Sequence, residues 1–191
     1  MNLLTDKLPE TMLIGEKSYL VETDFRKWIN FSQLAFSGEQ DMLSFAKMLN
    51  LVFKKDSGCP PASAETVQAM LEFYNPFKVD TLKSGNSARQ KQNYDFEYDA
   101  KHIYSSFLQQ YGIDLTKADL HWWAFKALFD GLSEDTPFGK ILQFRCTDIS
   151  KIKDKEMRKH YEKMQRIHAL PDTRTEEEKE RDFADTLSAV F

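Results

Sequence analysis

Thr116 to Leu132, with the sequence TKADLHWWAFKALFDGL, is the stretch that decides the fold. When it is wound as a helix at about 100° per residue, Asp119, Lys126 and Asp130 fall on one narrow line. Apolar side chains occupy nearly all of the remaining circumference, whereas an ordinary surface helix buries a single stripe. We therefore expect a buried central helix over about residues 117–131, with other helices packed around it.

The ends of this helix and its two tryptophans can be predicted from the same stretch. Thr116 is a credible N-cap, and Gly131 is typical of the position at which a helix ends. Trp122 and Trp123 project about 100° apart, so we expect them to contact different neighbours.

Length and composition indicate one soluble domain with charged appendages. The chain has 191 residues, of which 41% are hydrophobic and 13% aromatic, enough to build one substantial core. We expect a single domain over residues 1–170, a flexible loop at about 78–93 and a charged C-terminal segment over 171–191. No signal-peptide pattern and no run of about 18 apolar residues is present, so we expect a cytoplasmic protein. Two cysteines are too few for a disulfide framework or a structural zinc site.

The remaining periodicity predicts a mostly α fold, a multi-helix domain around the central helix with a short N-terminal β-hairpin. Two apolar runs around Gly15 predict the hairpin over residues 11–22. Ser63, Thr136 and Asp154 are predicted N-caps of later helices. The helix ending at Tyr111 is expected to lead into the central helix through a tight turn. Residues at helical spacing that we assign to buried faces include Trp28, Phe36, Met42, Phe45, Leu49, Phe96, Ile103, Phe107, Phe138 and Ile141.

Charge is nearly balanced over the chain but is segregated into blocks. The chain nets −4, so no global positive field favours nucleic acid as a partner. Residues 78–93 net +3 and are either a solvated linker or a basic arm that orders on a partner. Residues 151–166 net +4 and residues 172–191 net −4, and these adjacent blocks have the charges needed to pair within the chain.

The sequence predicts no catalytic, cofactor-binding or metal site, and we expect a protein that is not an enzyme. Asp95, Glu97 and Asp99 alternate as at the start of a calcium loop, but Ala100 replaces the required glycine. His121 lies among apolar positions, where a core histidine with a hydrogen-bonded nitrogen is the usual case. P-loop, GxSxG, HExxH and CxxC motifs are all absent.

The C-terminal segment contains the candidate partner-binding residues. A Thr175–Glu178 capping box precedes an apolar set at helical spacing, which predicts an amphipathic helix. This helix would dock either on its own domain or on another chain. The apolar set consists of Phe183, Leu187, Val190 and Phe191.

Four runs of this sequence together resemble a family of small proteins from tailed phages and prophages of Gram-positive bacteria, encoded between the tail-tube and tape-measure genes. The runs are LPETMLIGEKSYLVETDFRKWINF (8–31), YDFEYDAKHIYSSFLQQYGIDL (94–115), LHWWAFKALFDGLSEDTPF (120–138) and DISKIKDKEMRKHYEKM (148–164).

The resemblance implies a role in phage tail morphogenesis in the cytoplasm of the bacterial host. The gene position is that of a tail assembly chaperone, which would hold the tape-measure protein and also contact the tail-tube protein. No catalytic residue, cofactor or membrane association is implied. Two alternatives remain open: a DNA-associated packaging or regulatory protein, suggested by the basic stretches, and a minor structural component of the virion.

Overall fold

The computed structural model describes residues 2–36, 41–77 and 93–171, and within them the fold is mostly helical, as predicted. A two-stranded antiparallel hairpin opens the chain, with β1 at Thr11–Ile14 and β2 at Lys17–Leu20. Gly15 in its turn has φ +60°, a conformation that favours glycine. The helices are α1 Phe25–Phe36, α2 Met42–Val52, α3 Ala64–Tyr74, α4 Ala100–Tyr111, α5 Trp122–Asp130, α6 Pro137–Cys146 and α7 Lys155–Ile167, with short 3₁₀ turns at Lys55–Ser57 and Ile149–Lys151.

The predicted N-caps of three helices are confirmed. The Ser63 hydroxyl accepts from the backbone N–H of Thr66 at the start of α3. Thr136 does the same for α6 and Asp154 for α7. Each of these side chains satisfies one of the N–H groups that have no partner within the first turn of a helix.

The central helix α5 is covered on most of its circumference, as expected. Among its nine residues only Asp130 is exposed, while Trp122 and Phe125 are completely buried. The Phe125 ring stacks with Phe25 of α1 at 4.7 Å and with Phe107 of α4 at 5.1 Å between centroids. Aromatic side chains from α1, α3, α4 and α5 therefore meet around α5, and the hairpin, α2 and α6 add further buried side chains to the same core.

The start of α5 differs from the prediction, because the helix begins at Trp122 rather than near residue 117. The preceding residues pair with the chain just before α1: Phe25 N–H donates to Leu120 O, and Trp122 N–H donates to Thr23 O. This isolated antiparallel bridge keeps residues 120–122 extended. His121, and not Thr116, is the N-cap, and a ten-residue connection replaces the predicted tight turn between α4 and α5.

The expectation that the two tryptophans contact different neighbours is wrong, because both reach the C-terminal end of α3. The Trp122 indole N–H donates to Tyr74 O, and the Trp123 indole N–H donates to Phe73 O, each at 2.9 Å. The last carbonyl groups of a helix have no partner within it. The two indoles satisfy two of these carbonyls and thereby fix α3 to α5.

Candidate functional site

An exposed apolar surface lies where α1 ends and α2 begins. Phe36, the last residue of α1, is 56% exposed, and Met42 and Leu43 in the first turn of α2 are 80% and 63% exposed. We call these three residues the apolar tip. The Phe36 ring also contacts the buried Tyr74 ring of α3, with centroids 5.9 Å apart, which anchors one side of the tip to the core.

The apolar tip corrects the assignment of Phe36 and Met42 to buried faces. Helical spacing placed both residues in line with buried neighbours, but each is the terminal residue of its helix and is mostly exposed. Single exposed apolar residues are common, whereas neighbouring ones more often mark an interaction surface. Exposed apolar residues also occur on other elements, among them Leu4, Leu13, Met157 and Ile167.

A buried ion pair joins α4 to α6. The Arg145 guanidinium donates to both carboxylate oxygens of Asp99, at 2.6 and 2.8 Å. Side-chain exposure is 6% for Arg145 and 1% for Asp99, so the pair is almost completely removed from water. Arg145 also donates to His168 O at 2.6 Å and to Asn93 O at 3.0 Å. One side chain therefore binds α4, the end of α7 and the residue that follows segment 78–92.

The histidines near this pair form ring contacts. The His168 ring stacks on Phe144, with centroids 6.0 Å apart, and approaches His102 at 6.4 Å. Partial burial lowers the pKa of His102, and Lys101 lowers it further, while Asp99 opposes the shift. Among the described residues, no group of three or more His, Cys, Asp or Glu side chains is arranged to hold a metal ion.

The residues of the candidate calcium loop form hydrogen bonds with one another at the start of α4. Asp95 Oδ1 accepts from the backbone N–H groups of Glu97 and Tyr98, and Asp99 Oδ2 accepts from Asp95 N–H. These hydrogen bonds, together with the Arg145 pair, give structural roles to Asp95 and Asp99, while Glu97 takes part only through its backbone N–H and is exposed.

A cleft of about 250 Å³ opens between α1, α4 and the α4–α5 connection. Its walls are mainly apolar, and its polar groups are already bound. Arg26 pairs with Asp24 and donates to Leu115 O and Ala118 O. The hydroxyls of Tyr104 and Thr116 both donate to Asp114. A polar ligand entering this cleft would have to compete with these contacts for every group that could orient it.

Helix α7 carries an exposed basic surface. It contains no buried residue and packs on α6 through Tyr161 against Phe144 and through the Gln165 amide, which donates to Phe144 O and Thr147 O. The opposite side presents four exposed cations within an arc of about 80°. We call this set the basic face, and it consists of Lys155, Lys159, Lys163 and Arg166.

His121 has a hydrogen-bonded nitrogen, as expected, although it caps α5 instead of lying within it. Its Nδ1 accepts from Trp123 N–H at 3.0 Å, and its Nε2 lies 2.9 Å from Pro9 O. Partial burial lowers its pKa, and the hydrogen bond to Pro9 opposes the shift. Since both nitrogens are used, His121 joins the N-terminal segment to α5.

The predicted partner-binding residues Phe183, Leu187, Val190 and Phe191 lie outside the described residues, as does the predicted loop except for Asn93. Neither the apolar tip nor the role of Arg145 was predicted from the sequence. No local pattern marked the tip, because helical spacing does not show whether a neighbour covers a side chain.

The profile of the Bacteriophage Gp15 protein family matches residues 4–170, which is most of the chain. The chain belongs to this family. Comparisons with curated proteins and with solved structures gave no significant match. The matched region of this bacteriophage family member includes all the helices described above, the apolar tip and the basic face. Within the described residues, no helix is both long enough and apolar enough to cross a membrane.

Proposed function

We propose that this protein acts in phage tail morphogenesis as a non-enzymatic tail assembly chaperone that binds the tape-measure protein in the host cytoplasm. The observation that carries the proposal is the apolar tip, an exposed apolar surface at the end of a helical pair. Membership of a bacteriophage family and the resemblance to tail-module proteins support this assignment. The tail-tube protein is a further proposed partner.

The physical basis of the proposal is the behaviour of a long helical client. A tape-measure protein whose helices expose apolar stripes would self-associate through them before the tail tube forms. Helix-binding surfaces recognise such stripes through apolar contacts at helical spacing. The apolar tip offers three large side chains of this kind without requiring any group that makes or breaks bonds.

Co-expression with the tape-measure protein tests the proposal. The soluble fraction of the tape measure should rise when the chaperone is present, and the two proteins should be recovered together. Met42→Gln/Leu43→Gln should abolish both effects, because glutamine preserves helix propensity and removes the apolar contact. The matched control Leu4→Gln/Leu13→Gln removes two leucines outside the tip that are at least 70% exposed, and it should behave as wild type.

Two outcomes distinguish the chaperone assignment from the proposal that the apolar tip is its interface. A tape measure whose solubility and recovery do not respond to the wild-type protein would refute the chaperone assignment. A wild-type effect that survives Met42→Gln/Leu43→Gln would retain the assignment and move the interface elsewhere, with Phe183, Leu187, Val190 and Phe191 as the next candidates. Detection of the protein in purified particles by mass spectrometry would favour a structural virion component instead.

The basic face of α7 favours a second candidate function, a DNA-associated packaging or regulatory protein. Four exposed cations along one helix are able to contact phosphates without reading sequence. Such binding would weaken steeply with salt, so retention on duplex DNA at low ionic strength that is lost at high salt would support it.

A further inference from the structure

The basic face is a row of four exposed cations along α7. Lys155 and Arg166 are eleven residues apart in α7, which corresponds to about 16 Å along the helix. Of the four cations, only Lys159 forms an ion pair with a described residue, Glu156, at 3.3 Å. The α7 side chains that contact α6, Tyr161 and Gln165, point about 140° away from the centre of this face. All four side chains of the basic face are exposed in the described part of the chain, and the exposed carboxylates of Glu156 and Glu162 lie at its two edges.

The structure fixes where the rest of the chain begins relative to this face. Arg145 holds His168 O at the end of α7, and the described chain stops three residues later at Pro171. Residues 172–191 therefore start at the C-terminal end of α7. Twenty residues span about 30 Å as a helix and up to about 66 Å when extended. Either length suffices to return along the 16 Å of the basic face.

Residues 172–191 have the negative net charge that a partner of the basic face requires. Residues 172–191 contain seven acidic and three basic side chains, and residues 151–166 contain seven basic and three acidic ones. The net charges of −4 and +4 match in size and are opposite in sign. Since the two stretches are adjacent, the effective concentration of one near the other is in the millimolar range without any partner.

We propose that the basic face of α7 is the docking site for residues 172–191 of the same chain. This inference goes beyond the proposed chaperone function and does not depend on it. Docking places acidic side chains along Lys155, Lys159, Lys163 and Arg166 and covers the surface on which the DNA-associated alternative relies. It is electrostatic and solvent-exposed, so it weakens as the Debye length falls from about 10 Å at 0.1 M salt to about 3 Å at 1 M.

The test uses the full chain with a paramagnetic spin label on Cys146, which is exposed, and with Cys59→Ser to make the label unique. Cys146 precedes Thr147, whose carbonyl binds Gln165 of α7 at 2.7 Å, so the label lies beside this helix. In 0.1 M salt, the label should reduce the amide signals of residues 180–191 to less than half of their diamagnetic intensity. At 1 M salt most of this loss should disappear.

Charge-reversal variants of α7 test whether the basic face is the surface on which residues 172–191 dock. Lys155→Glu/Lys159→Glu/Lys163→Glu should restore the amide intensities at 0.1 M salt, and adding Glu176→Lys/Glu177→Lys/Glu180→Lys should bring the loss back. The matched control Lys27→Glu/Lys47→Glu/Lys55→Glu reverses three exposed lysines elsewhere and should leave the loss unchanged.

Three results would overturn the proposal. The first is an intensity loss that the α7 reversal does not change. The second is a loss that appears only when an isotope-labelled chain is mixed with a separate spin-labelled copy, because the segment then docks on another chain. The third is salt-sensitive binding of duplex DNA by the full chain at 0.1 M that the α7 reversal abolishes, because the basic face is then free.

Discussion

At the scale of single residues, His121 shows how one side chain performs two structural tasks. Nδ1 acts as the N-cap acceptor for α5, so the ring must carry its proton on Nε2, which then donates to Pro9 O. Protonation of Nδ1 would remove the acceptor and leave two N–H groups facing each other. The neutral ring is therefore the form that the fold requires.

This requirement predicts a pH dependence of stability. The pKa of His121 is lowered in the folded protein, mainly by partial burial, whereas the unfolded value is about 6.5. The unfolded chain then binds the proton more readily, so the free energy of unfolding should fall as the pH drops below about 6.5. His102, whose pKa is also lowered, contributes in the same direction.

Urea unfolding at pH 7.5 and 5.5 separates these contributions. His121→Asn keeps an oxygen that can cap α5 and cannot be protonated in this range, so the decline in stability should become smaller. His121→Ala should in addition lose about 1 kcal/mol at pH 7.5, because the cap is removed. A decline in His121→Asn equal to that of the wild type would contradict the role of His121.

At the scale of elements, the contact between α3 and α5 shows how an aromatic pair replaces a conventional helix cap. Trp122 and Trp123 donate to consecutive carbonyls at the end of α3, and the Trp122 indole also stacks on the Tyr74 ring, with centroids 5.1 Å apart. The two tryptophans differ in their surroundings, since Trp122 is completely buried and Trp123 is only partly buried.

We predict that Trp122→Phe destabilises the protein more than Trp123→Phe. Either change removes one indole donor, but at Trp122 the carbonyl is left unpaired in a site closed to water, which costs about 1–3 kcal/mol beyond the lost volume. At Trp123 water is able to replace the donor. Urea unfolding of both variants provides the comparison, and equal losses for the two would show that the carbonyls contribute little.

The elements also show which parts of the fold could be predicted from the sequence. Ser63, Thr136 and Asp154 cap their helices as predicted, because a cap depends on a side chain and a backbone group only three residues apart. The start of α5 could not be predicted in this way. It depends on hydrogen bonds between residues 120–122 and residues 23–25, and no local pattern indicates that pairing.

The candidate site was less accessible to prediction than the fold. Helical spacing grouped Met42 with buried residues, but spacing gives the direction of a side chain and not whether a neighbour covers it. Arg145 gave no sequence signal, because its partners Asp99, Asn93 and His168 are distant in the chain. The predicted N-terminal hairpin and the mostly α class are confirmed, since both follow from local periodicity.

At the scale of the whole molecule, Arg145 is the side chain that joins the outer helices to the core. Its hydrogen bonds reach α4 through Asp99 and the end of α7 through His168 O. Helix α7 has no buried residue of its own, so this link and the contacts of Tyr161 and Gln165 hold it in place. The molecule thus combines a densely packed core with a lightly attached outer helix.

Arg145→Met should therefore destabilise α7 and the start of α4 more than the central helix α5. Removing one member of a buried ion pair leaves the other charge without a partner and costs about 3–5 kcal/mol. Hydrogen exchange should accelerate most in α7 and at the start of α4, and least in α5. Lys117→Met is the matched control, because the Lys117 side chain is 83% exposed and its ion pair with Asp114 is screened by water, so hydrogen exchange should stay close to that of the wild type. Uniform acceleration throughout the molecule would contradict the proposed role of Arg145 as a link.

The placement of the three tryptophans has a spectroscopic consequence. Trp28 and Trp122 are both completely buried, with ring centroids 6.3 Å apart, and Trp123 lies beside them against Phe73. Intrinsic fluorescence and near-ultraviolet circular dichroism will accordingly monitor the junction of α1, α3 and α5. Detachment of α7 will leave both signals almost unchanged, so optical melting curves will register the inner core while the outermost helix has already been released.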